Sequence, residues 1–537
     1  MIRPRTAAVA SLLLLPMVAG GFLLQSGSAR QAPETLFNSV VSIVANRYVD
    51  SLQSRVLMEK AATGLVRELN DPYSELLPPK ANEEFNRNVG GRYGGVGMLL
   101  EQQNTAGPTR IVVARVFPHT PAEEGGVQEG DIITRVDSLN IGGDIKIDSV
   151  SNALRGVAGT TVHVTYARPG VVEPIKLSFK RAVIHVPAVQ YSMLVGDHIG
   201  YIPLQTFNEN TAEEVTEAAD KLVKQGAKGL VLDLRLNGGG IVEQSLAVAS
   251  LFLKDGQPIV DVRGRNTPDE TARASSEHLA SQPPLVILTD GGTASASEIV
   301  AGALQDHDRA LVLGTTSFGK GLVQSLFPLD GGYALKITTG KWFTPSGRSI
   351  HRERKLVNGQ LVETKPDSLE TEAQKRARPK FKSDAGRVVY GGGGITPDII
   401  VPDDTLSTAE QEFYRSLAPK AQAFVTTLNA YAFELRNSPK DYTISPAWRA
   451  ELRRRLTAAG VTIDSKYEPV ATKTLDRELD RRVARLVLGD AGAKARMLPE
   501  DHQLARAVEL LTAARSQNAL FAAAQQGTKS AQGTLHQ

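Results

Sequence analysis

The middle of the chain contains short, uninterrupted apolar runs that alternate with helical patterns. Apolar runs of this length, bounded by glycine, proline or charged residues, are typical of strands buried on both faces of a sheet. They occur at residues 229–235, 284–288 and 311–314. Helical patterns lie before, between and after them, over residues 212–225, 242–253 and 299–306. Strands that alternate with helices predict a layered α/β unit.

The length and composition of the chain limit what surrounds this unit. At 537 residues, the chain is long enough for three or four domains of roughly 150 residues each. With 61 basic and 58 acidic side chains, it has no charge excess that would favour nucleic acid or acidic lipid as a partner. It has no cysteine, which excludes disulfides, thiolate metal sites and a cysteine nucleophile.

The N-terminus has the pattern of an export signal. Arg3 and Arg5 precede an uncharged run over residues 7–24, and the small residues Gly27, Ser28 and Ala29 follow. This pattern predicts a signal peptide over residues 1–29 and a periplasmic or cell-envelope protein. The run is also just long enough to span a bilayer, so an uncleaved anchor in the inner membrane is the alternative.

A helical region is predicted over residues 30–88, because apolar residues recur at helical spacing over 36–48 and 57–69. Dimerisation, substrate gating and simple packing on the core all remain open as its role.

Residues 89–183 consist of short β-like runs separated by glycine. The loop Gly94-Gly95-Val96-Gly97 can turn bare backbone N–H groups toward an anion. One such anion is the C-terminal carboxylate of a peptide that adds as a strand to a sheet edge. A phosphate cradle is the alternative, but the Gly-Lys-Ser/Thr ending of that motif and its helix are missing.

Two strand-to-helix junctions in the α/β unit are candidates for chemistry. Glycines in the turn over residues 233–240 would let backbone N–H groups form an oxyanion hole, although a plain tight turn is the alternative. The second junction, over 290–298, contains Ser295 and Ser297. A serine at a helix N-terminus has its developing charge stabilised by free N–H groups and the helix dipole. Ser297 has the position of a first-turn or capping residue, so Ser295 is the better nucleophile candidate.

The candidate base is a lysine. His307 lies at the far end of the helix that begins near Ser295, about 15–18 Å away at the rise of an α-helix. No His-Glu-x-x-His metal motif or Gly-x-Ser-x-Gly elbow is present. Lys320, between two glycines, begins a predicted strand on which Gln324 shares its face. A desolvated lysine can accept a proton, and the glutamine can orient its amine.

The segment 89–183 resembles a PDZ domain. Gly95-Val96-Gly97-Met98 is similar to the carboxylate-binding loop, and the two stretches Thr120-Pro-Ala and Gly130-Asp-Ile-Ile are similar to the helix-entry and following-strand signature. The last helix and strand of that fold are expected over residues 154–160 and 162–168. The resemblance implies that an extended, apolar C-terminal tail binds close to Gly95, Val96, Gly97, Met98 and Leu99.

Residues 34–404 resemble the carboxyl-terminal processing proteases, the tail-specific serine proteases of peptidase family S41. The resemblance rests on the stretches 293–306 and 317–324. In that family the nucleophile precedes the lysine by 25 positions and the glutamine follows by four, which selects Ser295, Lys320 and Gln324 and rejects Ser297.

The same resemblance implies further site residues. The oxyanion donors would be the backbone of Ala296 and of Gly239 or Gly240, and Asp306 would support the site from outside the triad. Gly238 stands where relatives often have proline, so the choice of glycine is open.

The remaining segments are a polar stretch over 352–386 and a region rich in alanine, leucine and arginine over 405–537. The first is expected to be an exposed insert in a protease core over 184–404, with a regulatory or adaptor-contacting loop as the alternative. Amphipathic stripes over 475–487 and 505–524 predict helices used in self-association, with packing on the protease core as the alternative. The end after Gln525 is expected to be disordered.

These patterns predict a multidomain α/β protein with an inserted β-rich PDZ domain and helical terminal regions. The expected function is that of an exported serine endopeptidase, a homo-oligomer that cleaves proteins with exposed apolar tails and needs no cofactor or metal. An adaptor protein and contact with the membrane through residues 7–24 are possible further partners. A non-catalytic PDZ scaffold on a protease fold is the alternative. A trypsin-like protease is excluded by the lack of its histidine, aspartate and Gly-Asp-Ser-Gly in order.

Overall fold

The structure is a computed structural model that describes residues 33–103, 110–142, 145–168, 170–265, 268–276, 278–357, 360–363 and 378–524. These residues fall into two compact units. The smaller unit draws on 1–78, 326–337 and 355–362, and the larger on 79–325, 338–354 and 363–537.

The α-helices of the described residues include, in chain order, α1 (Pro33–Arg47), α2 (Ser54–Arg67), α3 (Pro79–Gly90), α4 (Pro121–Glu124), α5 (Ile147–Leu154), α6 (Thr211–Lys224), α7 (Val242–Phe252), α8 (Ala296–Asp306), α9 (Thr408–Leu417), α10 (Ala421–Glu434), α11 (Pro446–Ala458), α12 (Glu468–Met497) and α13 (His502–Ala513), and residues 517–524 are also helical. The strands of the first half are β1 (Glu75–Leu77), β2 (Arg92–Gly95), β3 (Met98–Gln103), β4 (Arg110–Val116), β5 (Ile132–Val136), β6 (Leu139–Asn140), β7 (Thr161–Ala167), β8 (Ile175–Lys180), β9 (Ala182–His185), β10 (Met193–Val195), β11 (Ile199–Pro203) and β12 (Gly229–Asp233). Those of the second half are β13 (Pro258–Gly264), β14 (Glu270–Arg273), β15 (Leu285–Thr289), β16 (Ala310–Gly314), β17 (Leu322–Pro328), β18 (Ala334–Phe343), β19 (Arg354–Val357), β20 (Gln360–Glu363), β21 (Lys380–Lys382), β22 (Val388–Tyr390) and β23 (Ile399–Ile400).

The core of the larger unit is a six-stranded sheet in the order β10-β11-β12-β15-β16-β23. From β11 onward its strands are parallel. Every residue of β11, β12, β15 and β16 is buried, because parallel strands are covered on both faces. Helices α6, α7 and α8 cover one face, and α13 with residues 520–524 covers the other. The predicted layered α/β fold is confirmed.

The register of this sheet brings the two predicted junctions together. β12 and β15 are adjacent and parallel, and Asp233 pairs with Leu288. The turns that follow the two strands therefore leave the sheet at the same edge, where sites of α/β folds are found.

The PDZ-like part is a sheet in the order β3-β4-β5-β7-β8, with β6 paired to β5. Its core contains Ile111, Val150 and Tyr166, and α5 packs against the edge strand β3. The helix expected over 154–160 is wrong. Helix α5 ends at Leu154, since the glycines at 156 and 159 favour the turn that follows.

A second sheet in the larger unit pairs β13 with β14 and with the end of β18, where Asp261 faces Phe343. Within the smaller unit, β1 pairs with the first residues of β18, from Ala334 to Lys336.

The prediction that residues 352–386 form an exposed insert is wrong for the first residues of this segment. Arg352 and Arg354 are largely buried, and both pair with Glu363 at 3.1 and 2.7 Å. Residues 364–377 lie outside the described residues.

The helices α9 to α12 form a bundle around Phe413, Leu428 and Leu479. Gly489 breaks α12 near its end with φ 71°. The stripe over 475–487 is buried in this bundle, and the stripe over 505–524 is buried on the central sheet. Both stripes are therefore buried by contacts within the chain. The second stripe packs on the protease core, which was the alternative prediction. Self-association remains a prediction without support from either stripe.

The two N-terminal helices of the smaller unit keep much of their apolar surface exposed, including Leu36, Ile43 and Leu65. The open roles of this region stay open. Among the described residues, no helix has both the length and the apolar composition of a membrane span. The signal over 1–29 and the chain end after Gln525 lie outside those residues.

Candidate active site

The turn between β15 and α8 contains the predicted nucleophile. The Asp290 side chain shapes this turn, because its Oδ1 accepts the N–H groups of Gly292 and Thr293 at 2.9 and 3.0 Å. Ser295 is the N-cap of α8, with φ 57° and ψ −116°. Residues other than glycine seldom adopt a positive φ, and such strain is typical of functional sites.

The two candidate serines have different surroundings. Ser297 is fully buried and its hydroxyl donates to the carbonyl of Asn237 at 2.9 Å. Ser295 is partly exposed at the N-terminal end of α8, where the helix dipole stabilises negative charge. This geometry favours Ser295 as the serine that can meet a substrate.

A buried glutamate joins the nucleophile turn to the loop of the predicted base. One carboxylate oxygen of Glu298, Oε1, accepts from the Ser317 hydroxyl at 2.5 Å and from the N–H of Gly319 at 2.6 Å. The other, Oε2, accepts the N–H groups of Ser295 and Lys320, both at 2.8 Å. Those two nitrogens are therefore no more than 5.6 Å apart, twice that distance. Burial raises the pKa of Glu298, and the four hydrogen bonds oppose this rise.

Sequence reasoning did not identify Glu298, although a local signal was present. Ser295 and Glu298 have the spacing of a capping box, in which the third helical residue bonds back to the N-cap N–H. The contacts of its carboxylate with the loop over 317–320 could not be read from that spacing.

Lys320 lies in the loop 315–321 that follows β16, and Gln324 lies in β17, the strand after this loop. The side chain of Lys320 is partly buried, and its carbonyl accepts the Trp342 indole N–H at 3.0 Å. Gln324 lies four residues further along, and its Nε2 is 3.5 Å from the Thr338 hydroxyl. Glu298 thus holds the backbone N–H groups of Ser295 and Lys320 on one oxygen, and Gln324 lies on the strand that leaves this loop.

The predicted oxyanion loop contacts the nucleophile turn directly. Gly239 has φ 95°, and a Cβ there would lie 2.9 Å from both Ala296 N and Ser295 Cβ. The N–H of Gly239 donates to Asn237 Oδ1 at 2.9 Å, so Gly240 is the better donor candidate of the two glycines. Ala296 is the first residue of α8, and its N–H has no acceptor within the helix.

Asn237 is a second residue that sequence reasoning missed. Besides accepting from Gly239, it donates Nδ2 to the Leu204 carbonyl at 2.8 Å. Its own carbonyl accepts the Ala294 N–H at 3.0 Å and the Ser297 hydroxyl. It is fully buried. Through its side chain and its backbone carbonyl, this one residue links the oxyanion loop, the nucleophile turn and the residue that follows β11.

At the end of α8 distant from Ser295, the side chains of Asp306 and His307 are held by partners outside the helix. Asp306 and Arg348 are buried together, with Asp306 Oδ1 2.7 Å from the guanidinium, while Asp306 Oδ2 accepts the Ser346 N–H at 3.0 Å. His307 is the C-cap of the helix, with Nε2 2.7 Å from the Pro258 carbonyl. Asp306 stays predicted as a supporting residue.

The predicted tail-binding loop lies at the start of β3. Val96 and Met98 are buried in the core of the PDZ-like part, whereas Leu99 is half exposed. Gly97 has φ 90° and packs against Thr120. The side chains of Val96 and Met98 therefore support the loop from inside, and a tail would meet backbone groups and Leu99.

Across the described ranges, no three histidine, aspartate or glutamate side chains are grouped closely enough to hold a metal ion.

Comparison with known proteins agrees with the predicted family and the PDZ domain. Residues 198–362 match the family model of Peptidase family S41, and residues 112–168 match the model of the PDZ domain. A carboxy-terminal-processing protease of Bartonella bacilliformis is 39% identical over 319 residues, covering 58% of this chain and 71% of that protein. The carboxy-terminal processing protease CtpA of Bacillus subtilis is 33% identical over 364 residues, covering 67% and 76%.

Among solved structures, a photosystem II D1 C-terminal processing protease is 29% identical and covers 62% of this chain and 91% of that one. Its TM-score of 0.34 supports no conclusion about the fold. The identity and coverage of the two bacterial relatives show that this chain belongs to peptidase family S41, among the carboxy-terminal processing proteases, which are serine-type peptidases.

Proposed function

We propose that this chain is an exported endopeptidase that captures apolar C-terminal tails with its PDZ domain and cleaves with Ser295, Lys320 and Gln324. The single observation that supports it most is the carboxylate of Glu298. It binds the backbone N–H of Ser295 and of Lys320 on one oxygen, which supports a strained serine and a lysine that work together.

The chemistry begins with the Ser295 hydroxyl attacking the substrate carbonyl carbon while the neutral amine of Lys320 takes the hydroxyl proton. Gln324 orients that amine. The negative charge on the carbonyl oxygen is stabilised by the N–H groups of Ala296 and Gly240 and by the N-terminal end of α8.

Collapse of this intermediate breaks the peptide bond. Lys320 gives its proton to the departing amine, and the acyl group of the substrate stays bonded to Ser295. Lys320 then takes a proton from water, whose oxygen attacks the acyl carbonyl, and gives that proton to Ser295 Oγ as the bond between Oγ and the acyl carbon breaks.

Tail capture would use the edge of β3. The peptide adds as a strand beside β3, and its carboxylate meets the N–H groups of the loop at Gly95, Val96 and Gly97. An apolar last side chain would lie near Leu99, which is half exposed. The free edge of β3 and the adjacent α5 support this proposal.

Export through the segment 1–29, assembly of several copies and recruitment by an adaptor complete the proposal. Fractionation of cells that express the full chain tests export. Light scattering on the purified protein tests assembly.

The test of the chemistry is cleavage of an unfolded protein with an apolar C-terminus by wild-type protein, Ser295→Ala and Lys320→Ala. We expect cleavage by the wild type only. Ser297→Ala is the matched control and should retain cleavage, because it loses only a hydrogen bond to Asn237. Cleavage that survives in Ser295→Ala or Lys320→Ala would overturn the mechanism.

The alternative, a tail-binding scaffold without catalysis, predicts a different result. The wild type would bind the tail, measured by fluorescence anisotropy of a labelled peptide, and would leave the substrate intact.

A further inference from the structure

The loop that carries the predicted oxyanion donors is held by a residue from the C-terminal helical region. Arg235 lies at the start of this loop, between β12 and Gly239. Its guanidinium donates to both carboxylate oxygens of Asp501, each at 2.8 Å. Asp501 is the N-cap of α13 and is separated from Arg235 by 266 positions in the sequence.

We propose that Asp501, supported by Lys494, is a positioning residue of the active site, which makes the C-terminal helical region part of the catalytic unit. The inference rests on the proposed roles of Ser295 and the oxyanion loop. Asp501 lies outside residues 198–362, which the S41 description covers.

The geometry of the pair is that of a specific clamp. A guanidinium that meets a carboxylate through two parallel hydrogen bonds fixes orientation as well as distance. Only 17% of the Arg235 side chain and 13% of the Asp501 side chain are exposed. Little water competes for these bonds, so the pair holds the loop more firmly than a surface ion pair would.

The charges around this pair are balanced. Arg235 also bonds Asp233 at 2.6 Å, and the Lys494 amine lies 2.6 Å from Asp501 Oδ2. Burial alone raises the pKa of Asp501, but Arg235 and Lys494 outweigh it and hold that pKa below its usual range. Loss of the Asp501 charge would leave two partly buried cations facing one carboxylate.

The clamp acts on a strained loop. Leu236, the residue after Arg235, has φ 58°, a conformation that costs a leucine energy and persists only where surroundings impose it. Asp290 of the nucleophile turn holds Leu236 from one side by accepting its N–H at 2.9 Å. Asp501 holds the preceding Arg235 from the other side.

The loop continues directly to the reacting groups. Asn237 follows Leu236 and binds Gly239 and Ala294, and a Cβ on Gly239 would lie 2.9 Å from Ser295 Cβ. A small shift of Arg235 would therefore move the donors relative to the nucleophile.

Asp501→Asn tests the inference, because asparagine caps a helix as well as aspartate does. The variant keeps the cap that Asp501 provides to the Leu504 N–H, but loses the charge and one acceptor for Arg235. We expect kcat for an unfolded substrate to fall by about 10- to 100-fold, with KM unchanged and the same circular dichroism spectrum.

Asp404→Asn is the matched control. It removes the charge of an exposed carboxylate that pairs with His502, the neighbour of Asp501, and should leave kcat at the wild-type value.

A double-mutant comparison identifies the route. If Asp501 acts through Arg235, adding Asp501→Asn to Arg235→Met should lower kcat no further than Arg235→Met alone. Wild-type kcat in Asp501→Asn, or losses that multiply in the double variant, would overturn the inference.

Two further proteins keep the result decisive. Lys494→Met removes only the supporting cation, so a smaller fall in kcat is expected, and this variant decides if Asp501→Asn fails to fold. Ser295→Ala in the same assay tests the chemistry itself. Loss of cleavage there, together with an unaffected Asp501→Asn, would refute the positioning role alone.

Discussion

At the scale of single residues, Gly239 is where the oxyanion loop and the nucleophile turn touch. Its φ of 95° favours glycine, and a Cβ would lie 2.7 Å from the Ala294 carbonyl as well as 2.9 Å from Ala296 N. Contacts this short cannot be relieved by a flexible side chain, because two of the three neighbours are backbone atoms. Glycine is needed here for both conformation and space.

Gly239→Ala should therefore lower kcat by about 100-fold or more, because it displaces the Ala296 donor from the position of the oxyanion. Steady-state kinetics on an unfolded substrate measure this. The control is Gly238→Ala, one position earlier, where an added Cβ would meet nothing within 4 Å. Equal activities of the two variants would contradict the predicted contact.

The Glu298 carboxylate accepts four hydrogen bonds at the site. Glu298→Gln should abolish most activity and lower the free energy of unfolding by on the order of 3 kcal/mol, because an amide nitrogen would face donors that need an acceptor. Urea denaturation and kinetics measure the two effects.

Ser317→Ala provides the comparison for Glu298→Gln, since it removes one of the four donors and leaves the carboxylate in place. Its loss of stability should be clearly smaller. A Glu298→Gln protein as stable and active as the wild type would show that the carboxylate does not join the two loops.

At the scale of elements, the PDZ-like sheet packs against the helical bundle of the larger unit. The Phe433 ring of α10 lies over Gly130, where a Cβ would come within 2.2 Å of the ring. Arg115 of β4 bonds Asp490, just after the break in α12, at 2.9 Å. The C-terminal helical region thus contacts both the PDZ-like sheet and, through Asp501, the oxyanion loop.

Gly130→Ala should destabilise the protein by more than Gly126→Ala does. Both glycines have a positive φ, but a Cβ on Gly126 would meet nothing within 4 Å, so that variant has only the backbone strain of about 1 kcal/mol. Thermal unfolding measures the coupling. In a Phe433→Ala background, Gly130→Ala should lower stability by less than it does in the wild type, whereas the effect of Gly126→Ala should be the same in both backgrounds. Additive effects in both pairs would contradict the packing of this ring on Gly130.

At the scale of the whole molecule, the larger unit uses α13 to complete its core. Leu511 of α13 packs on Gly229 of β12 and is 1% exposed. Leu511→Asp should lower the free energy of unfolding by at least about 3 kcal/mol, because it removes a buried apolar side chain and buries a charge. Chemical denaturation measures the loss.

Thr512→Asp, at the next and exposed position, should change stability by no more than about 0.5 kcal/mol. If Leu511→Asp were equally harmless, α13 would not be part of the core.

Local pattern was enough to predict much of the fold and to propose the central site residues. The strands of the central sheet are apolar runs that only a doubly covered sheet accepts, and α6, α7 and α8 follow from helical spacing. Ser295, Lys320 and Gln324 came from residue type and the spacing of a family motif. Such features are readable because they depend on neighbours close in sequence.

Contacts between distant segments could not be read in this way. Glu298 had a capping-box signal, but its bonds to Ser317, Gly319 and Lys320 depend on β15 and β16 lying side by side. The amphipathic stripe over 505–524 predicts a buried face without saying what buries it, and only the packed chain assigns it to the central sheet.

The chain sequence thus specifies which segments are strands and helices and which residue types can do the chemistry, because these follow from periodicity and local hydrogen bonding. Tertiary structure alone decided that the Ser297 hydroxyl is buried against Asn237, which glycine N–H is already bonded, and that Asp501 contacts Arg235. Each of these depends on where a side chain or backbone group from a remote segment comes to rest, and spacing along the chain contains no measure of that distance.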